Sequence, residues 1–185
     1  MAELEIAQLG HPILYQQAQP VERFTDTKTQ QFIEDLLATA IAAQGVGIAA
    51  PQVSVSRRLF IVASHPTPRY PQAPSMPPTA MLNPKILSRS PEMVKDWEGC
   101  LSISGLRGLV PRATSIDVEY TDRDGNHHQQ QLSGFVARIF QHELDHLNGI
   151  LFIDRIESTR DLFTEQSYQQ RIGAEREKLR ANANP

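Results

Sequence analysis

Apolar residues recur at three- and four-residue steps between positions 27 and 43, through Phe32, Ile33, Leu36, Leu37, Ala40 and Ile41. That spacing makes a single apolar stripe and predicts an amphipathic helix. Asp26 or Thr27 is placed to cap its start, and Gly45 lies near its end. Leu59 to Ala63 is a short, partly β-branched apolar run, as in a buried strand. Ala80–Leu87, Met93–Glu98, Ser115–Tyr120 and His127–Leu132 read as further strands. Asp122-Arg123-Asp124-Gly125-Asn126 is turn chemistry and joins the last two as a hairpin. Ser133 is placed to cap a second helix that reaches about Leu147 and is closed by Asn148-Gly149. A third helical stretch covers about Thr159 to Leu179. Strands grouped ahead of a helix, without regular βαβ alternation, predict an α+β fold.

Gly10 to Leu14 reads as a turn entering a short segment. The prolines at 66, 68, 71, 74, 77 and 78 exclude a central strand or helix interior there. The stretch 66–78 is expected to be an extended surface loop inside one domain, with a polyproline II docking site as the lesser reading. At 185 residues the chain is expected to form a single domain, 1–185.

Composition narrows the class. Hydrophobic residues make up 40% and charged residues 21%, which suits a globular chain. Lys+Arg total 18 against 21 Asp+Glu, and a net charge of −3 does not argue for a DNA-binding protein. No apolar run approaches the roughly 20 residues of a membrane helix. The acidic start, Met1-Ala2-Glu3-Leu4-Glu5, does not read as a signal or transit peptide. Cys100 is the only cysteine, so no intramolecular disulfide can form and a reducing compartment is expected.

The strongest chemical signal is His142-Glu143-Leu144-Asp145-His146. On a helix, residues four apart share a face, so both imidazoles can reach one metal ion with Glu143 beside it. Phe135 and Ile139 share that face and would wall the site with apolar groups. A catalytic site of this type usually has a third protein ligand. In the extended zinc-protease pattern a third His follows a glycine; Gly149 stands at that glycine, but Phe152 stands where the His would be. The third ligand must come from elsewhere: Glu165 downstream, or Cys100 in Glu98-Gly99-Cys100-Leu101-Ser102. A thiolate suits a soft or borderline metal, yet a lone cysteine is as readily a buried core thiol. Gly45-Val46-Gly47-Ile48-Ala49-Ala50-Pro51-Gln52 lacks the ending of a phosphate loop. It reads as a helix C-cap and turn whose small residues permit close backbone approach.

Taken together, these three segments resemble the peptide deformylase family. Its motifs are Gly-hydrophobic-Gly-hydrophobic-Ala-Ala-x-Gln, Glu-Gly-Cys-Leu-Ser and His-Glu-x-x-His. They stand complete and in order at 45–52, 98–102 and 142–146. Leu109-Val110-Pro111-Arg112-Ala113 and the Asp-Arg-Asp-Gly turn also resemble the family, and the likeness covers most of residues 10–155. The resemblance implies antiparallel sheets packed around a central helix carrying His-Glu-x-x-His, with a C-terminal helix. It implies a metallohydrolase that removes the formyl group from formyl-methionyl nascent peptides in the cytoplasm and releases formate. Cys100, His142 and His146 would hold one divalent ion, natively Fe(II), with Zn(II), Ni(II) or Co(II) as substitutes. Glu143 would take a proton from the attacking water and return it to the leaving amine. Gln52 and the Leu101 N–H would donate to the developing oxyanion.

The resemblance also implies that Val46, Gly47 and Gly99 lie beside the peptide backbone. Arg107 would sit near the cleft, and Val46, Phe135 and Ile139 would form the methionine pocket. Arg138 replaces an apolar residue of some family members and would alter the pocket rim. The resemblance implies that the C-terminal helix touches the ribosome, but Arg171, Arg176, Lys178 and Arg180 against Glu175 and Glu177 give a local excess of only two, and a mildly basic, solvated helix accounts for them better. On the residues alone, two rivals stand beside this reading. One is a zincin-type protease with Glu165 as third ligand. The other is a non-catalytic protein with a closed four-ligand metal site.

Overall fold

The computed structural model describes residues 2–67 and 70–182, with side chains described as far as 174. Helix α1 spans Thr27–Ala42, and the Asp26 carboxylate accepts the Thr29 N–H at 2.6 Å as its N-cap. Strands β1 (Gly47–Ala49), β2 (Leu59–Val62), β3 (Thr79–Arg89), β6 (Ser115–Thr121) and β7 (His127–Ser133) form an antiparallel sheet in the order β1-β2-β3-β6-β7. Strands β4 (Met93–Cys100), β5 (Ile103–Ala113) and β8 (Leu162–Thr164) form a second, antiparallel sheet in the order β4-β5-β8. Helix α2 spans Gly134–Leu147 and α3 spans Glu165–Asn182.

The continuous apolar run in β2 has a simple cause: both faces of the strand are covered. Leu59 and Ile61 pack with Ile33, Leu36 and Ala40 of α1. Phe60 and Val62 pack with Ala137, Phe140 and Leu144 of α2, and Phe60 meets Phe140 edge-on with ring centroids 5.1 Å apart. Helix α2 is thus buried against the five-stranded sheet, while its histidine face turns toward β4. It ends at Gly149, whose φ of 71° would strain any other residue and whose missing Cβ leaves room for the Tyr15 carbonyl.

Three expectations change, and one strand was not anticipated. Ser133 does occupy the N-cap position of α2, but its side chain makes no capping hydrogen bond. The 45–52 segment is not only a turn: Gly47–Ala49 pairs with β2, and Ala50–Val53 follows as a 3-10 turn. The third helical stretch is interrupted. Leu162-Phe163-Thr164 pairs with Leu106-Arg107-Gly108 of β5, and α3 starts only at Glu165, with Thr164 Oγ1 accepting the Ser167 N–H. The unanticipated strand is β5, whose Gly105, Gly108 and Pro111 break the alternation that would mark a strand in the sequence. Pro111 opposes Lys95 beyond the reach of β8, on a stretch partnered on one side only, where a missing N–H is tolerated.

Candidate active site

Three chain segments converge at one end of α2. His142 and His146 project from the same helix face, and β4 brings Cys100 against them. The Sγ of Cys100 and one ring nitrogen of each histidine all lie within 4.8 Å of one another. Cys100 Sγ is 3.2 Å from His146 Nε2. A bulge in the β4–β5 ladder between Glu98 and Cys100 shifts the register there, so that Cys100 opposes Ile103. Glu165, the rival ligand, is engaged elsewhere: its Oε2 accepts from Arg107 Nε at 2.7 Å.

The set of one thiolate and two imidazoles fits a borderline divalent metal. The surrounding groups prepare it. Glu98 Oε2 accepts from His142 Nδ1 at 2.9 Å, which orients the ring and leaves its Nε2 as the nitrogen available to a metal. Glu98 is itself held by a bidentate pair from Arg112, 2.9 and 3.0 Å, and by Arg138 Nη1 at 2.8 Å. Burial alone would raise the Glu98 carboxyl, but the hydrogen bonds from His142 and Arg112 outweigh it and hold it well below the usual carboxylate range. Arg112 also binds Asp145, which Arg155 grips from the solvent side with contacts of 3.1 and 2.6 Å. Arg138 therefore does not line the cavity that holds Cys100 and Glu143. It is buried, and it also donates to the carbonyls of Val94 and Val110.

Glu143 is buried beside the cluster, and its Oε2 has no hydrogen-bond partner among the described residues. Burial pushes its carboxyl up to about 7, restrained by the charge of His142. Such a group is poised to accept and release a proton near neutrality. Gly47 makes room for it: a Cβ on that residue would lie 2.4 Å from Glu143 Oε1.

Gln52 is buried and oriented. Its Oε1 accepts the Ala49 N–H at 2.8 Å, which fixes the amide so that Nε2 faces Ser102 Oγ (3.2 Å) and Cys100 Sγ (3.4 Å). A cavity opens over these groups. Val46, Gly47, Ile139 and Leu101 line it, with Gly99 and Arg107 on the β4–β5 side. Phe135 lines a neighbouring cavity with Arg138 instead, and its ring packs on Tyr70 at 4.8 Å. Tyr70, from the Pro-rich segment, does line the metal-side cavity, and nothing in its local sequence marks it for that place. Pro68 and Arg69 of that segment lie outside the described residues.

Comparison with known proteins agrees with this geometry. The family model for polypeptide deformylase matches residues 3–161. Peptide deformylase 2 of Nostoc sp. strain PCC 7120 is 61% identical over 169 residues, covering 91% of this chain and 94% of the relative. The crystal structure of class I type b peptide deformylase from Acinetobacter baumannii bound to Met-Ala-Ser superposes with a TM-score of 0.81 at 46% identity, covering 84% of this chain and 99% of that one. The Synechococcus elongatus peptide deformylase in complex with actinonin superposes with a TM-score of 0.78 at 35% identity, covering 87% and 82%. A match of that extent, on a chain that gathers a thiol and two imidazoles within 4.8 Å of one another beside a buried carboxylate, makes this protein a member of the polypeptide deformylase family.

Proposed function

We propose that Cys100, His142 and His146 hold one divalent ion and that the chain hydrolyses the formyl amide of formyl-methionyl peptides, releasing formate. One observation carries the reading: Glu143, whose Oε2 has no hydrogen-bond partner among the described residues, lines the same cavity as Cys100 and His142, and these two converge with His146 within 4.8 Å. When bound there, a divalent ion supplies Lewis acidity, polarising a carbonyl and lowering the pKa of a water. Glu143 accepts the proton of the attacking water and passes it to the departing amine. Gln52 Nε2, fixed by Ala49, and the Leu101 N–H donate to the oxygen on which negative charge develops, an effect of about 3–4 kcal/mol per donor. Glu98 holds the His142 ring in the tautomer that presents Nε2.

Small residues at Val46, Gly47 and Gly99 let an extended peptide backbone lie close. Val46, Ile139 and Tyr70 offer an apolar wall for the methionine side chain. The donor set accepts Fe(II), which we take as the native ion, and Zn(II), Ni(II) or Co(II) in its place. We place the reaction on nascent chains in the cytoplasm, by one domain whose site draws on both sheets, with transient ribosome contact through α3. Of the basic residues invoked for that contact, the side chains of Arg176, Lys178 and Arg180 lie outside the described residues.

The test is direct. Anaerobically purified protein is incubated with formyl-Met-Ala-Ser, and formate is assayed. Turnover is expected, and Glu143→Ala is expected to lose about 10²–10⁴-fold in kcat. Absence of formate from fully metallated protein refutes the activity, and a fully active Glu143→Ala refutes the mechanism.

A further inference from the structure

Glu165 falls outside the metal cluster, yet it is bound tightly to something at the cleft. Its Oε2 accepts from Arg107 Nε at 2.7 Å, and the Arg107 side chain is only 6% exposed. The ring of Tyr168, one turn along α3, lies under the guanidinium, 5.3 Å from centroid to Cζ. Tyr168 is in turn fixed edge-on against Trp97 of β4, at 4.9 Å. These contacts follow directly from the β5–β8 pairing, in which Arg107 opposes Phe163 just before α3 begins.

The guanidinium is thereby pressed over Gly99. A Cβ on Gly99 would lie 1.7 Å from Arg107 Nη1, so only glycine leaves the cation this place. Arg107 lines the cavity that holds Cys100 and Glu143, and it also lines an adjoining cavity along Leu101, Ser104 and Leu106. Its hydrogen bond to a described residue uses Nε. Nη1 lies beside Gly99, which lines the first cavity. With Nε given to Glu165, the guanidinium still carries donors on its two terminal nitrogens for acceptor oxygens of a ligand.

We propose that Glu165 and Tyr168 are positioning residues that hold Arg107 over Gly99, so that its terminal nitrogens bind acceptor oxygens of the peptide downstream of the formylated residue. The inference rests on the deformylase reading and extends it. The C-terminal segment, β8 and the first turn of α3, then acts on how the enzyme binds the length of its substrate and leaves the chemistry alone. The acceptor is either a backbone carbonyl or a C-terminal carboxylate.

The experiment compares formyl-Met-amide, formyl-Met-Ala-Ser and formyl-Met-Ala-Ser-amide on the wild type and on Glu165→Ala. The variant is expected to raise KM for both tripeptides, or for the free acid alone, about tenfold with kcat within twofold. KM for formyl-Met-amide and metal content are expected to stay unchanged. Glu165→Gln, which keeps an acceptor for Nε, is expected to recover most of the loss. An equal effect on the two tripeptides assigns the contact to a carbonyl, and an effect confined to the free acid assigns it to the carboxylate. Tyr168→Leu, which keeps apolar packing on Trp97, provides a second variant and is expected to act in the same direction. Equal KM changes on long and short substrates overturn the proposal, and so does no change at all. Wild-type protein that releases no formate from any substrate refutes instead the activity on which it rests.

Discussion

Gly47→Ala should disable the enzyme without touching a metal ligand. The added Cβ would stand 2.4 Å from Glu143 Oε1 and 2.9 Å from both Glu143 Cδ and Ile139 Cγ2. Real Cβ contacts begin at 3.0–3.4 Å, so the carboxylate must retreat by 0.6–1.0 Å. Neither neighbour yields easily, because Glu143 and Ile139 both lie in the buried face of α2. A displacement of about 1 Å at a proton-transferring group costs on the order of 10²-fold in rate. The fall should appear in kcat, since Glu143 acts on the water and on the leaving amine. Steady-state formate release from formyl-Met-Ala-Ser measures it. Metal content should match the wild type, and overpacking should lower stability by about 1–3 kcal/mol in urea unfolding. A folded, metallated Gly47→Ala whose kcat stays within threefold of wild type would refute the reasoning. It would mean that Glu143 moves freely, or that its position is not what sets the rate.

Other perturbations separate the parts of the site. Cys100→Ala should abolish stoichiometric metal binding, while Glu165→Ala retains it; elemental analysis of the purified variants shows the reverse if the zincin arrangement is correct. Arg112→Met strips a buried cation from Glu98 and Asp145 and should cost about 3 kcal/mol in urea unfolding, with a loss under 1 kcal/mol counting against the network. Tyr70→Ala should raise KM for formyl-Met-Ala-Ser and narrow the preference for formyl-Met over formyl-Ala peptides, because it removes one wall of the cavity. Asp122 gives a pH effect remote from the metal. Burial would raise its carboxyl, but hydrogen bonds from His128 and Asn126 outweigh it and hold it below the usual range. A depressed carboxyl contributes stability that is complete above its unfolded value of about 4 and fades as pH falls through the folded value. The stability gap between wild type and Asp122→Asn should therefore shrink below about pH 4; a constant gap from pH 7 to 3 contradicts this.

Much of the site was legible in the chain because it is local. His142, Glu143 and His146 belong to one helix, and helical periodicity alone puts the histidines on a common face. The stripe in α1 and the apolar run of β2 likewise declare themselves, since each is set by which face is buried. The capping of α1 by Asp26 is equally local. Cys100 was different: spacing left it balanced between core thiol and ligand, and the motif resemblance pointed to the ligand.

The remainder depends on contacts between residues far apart in the chain. β5 was hidden because glycines and Pro111 erase its alternation, and β8 because an edge pairing overrides the helical signal around Leu162–Thr164. Arg138 could be read as a rim residue until the fold buried it against Glu98 and two strand carbonyls. Phe135, expected at the cavity wall, lines a neighbouring cavity, and Tyr70 of the Pro-rich segment, which packs on its ring, stands at the wall itself. The sequence by itself determined the donor types, the helix that carries two of them, and the apolar faces that build the core. Only the tertiary structure decided that Cys100 completes the cluster while Glu165 is drawn away to Arg107. The reason is physical: periodicity says which residues share a face, but only packing says which faces meet.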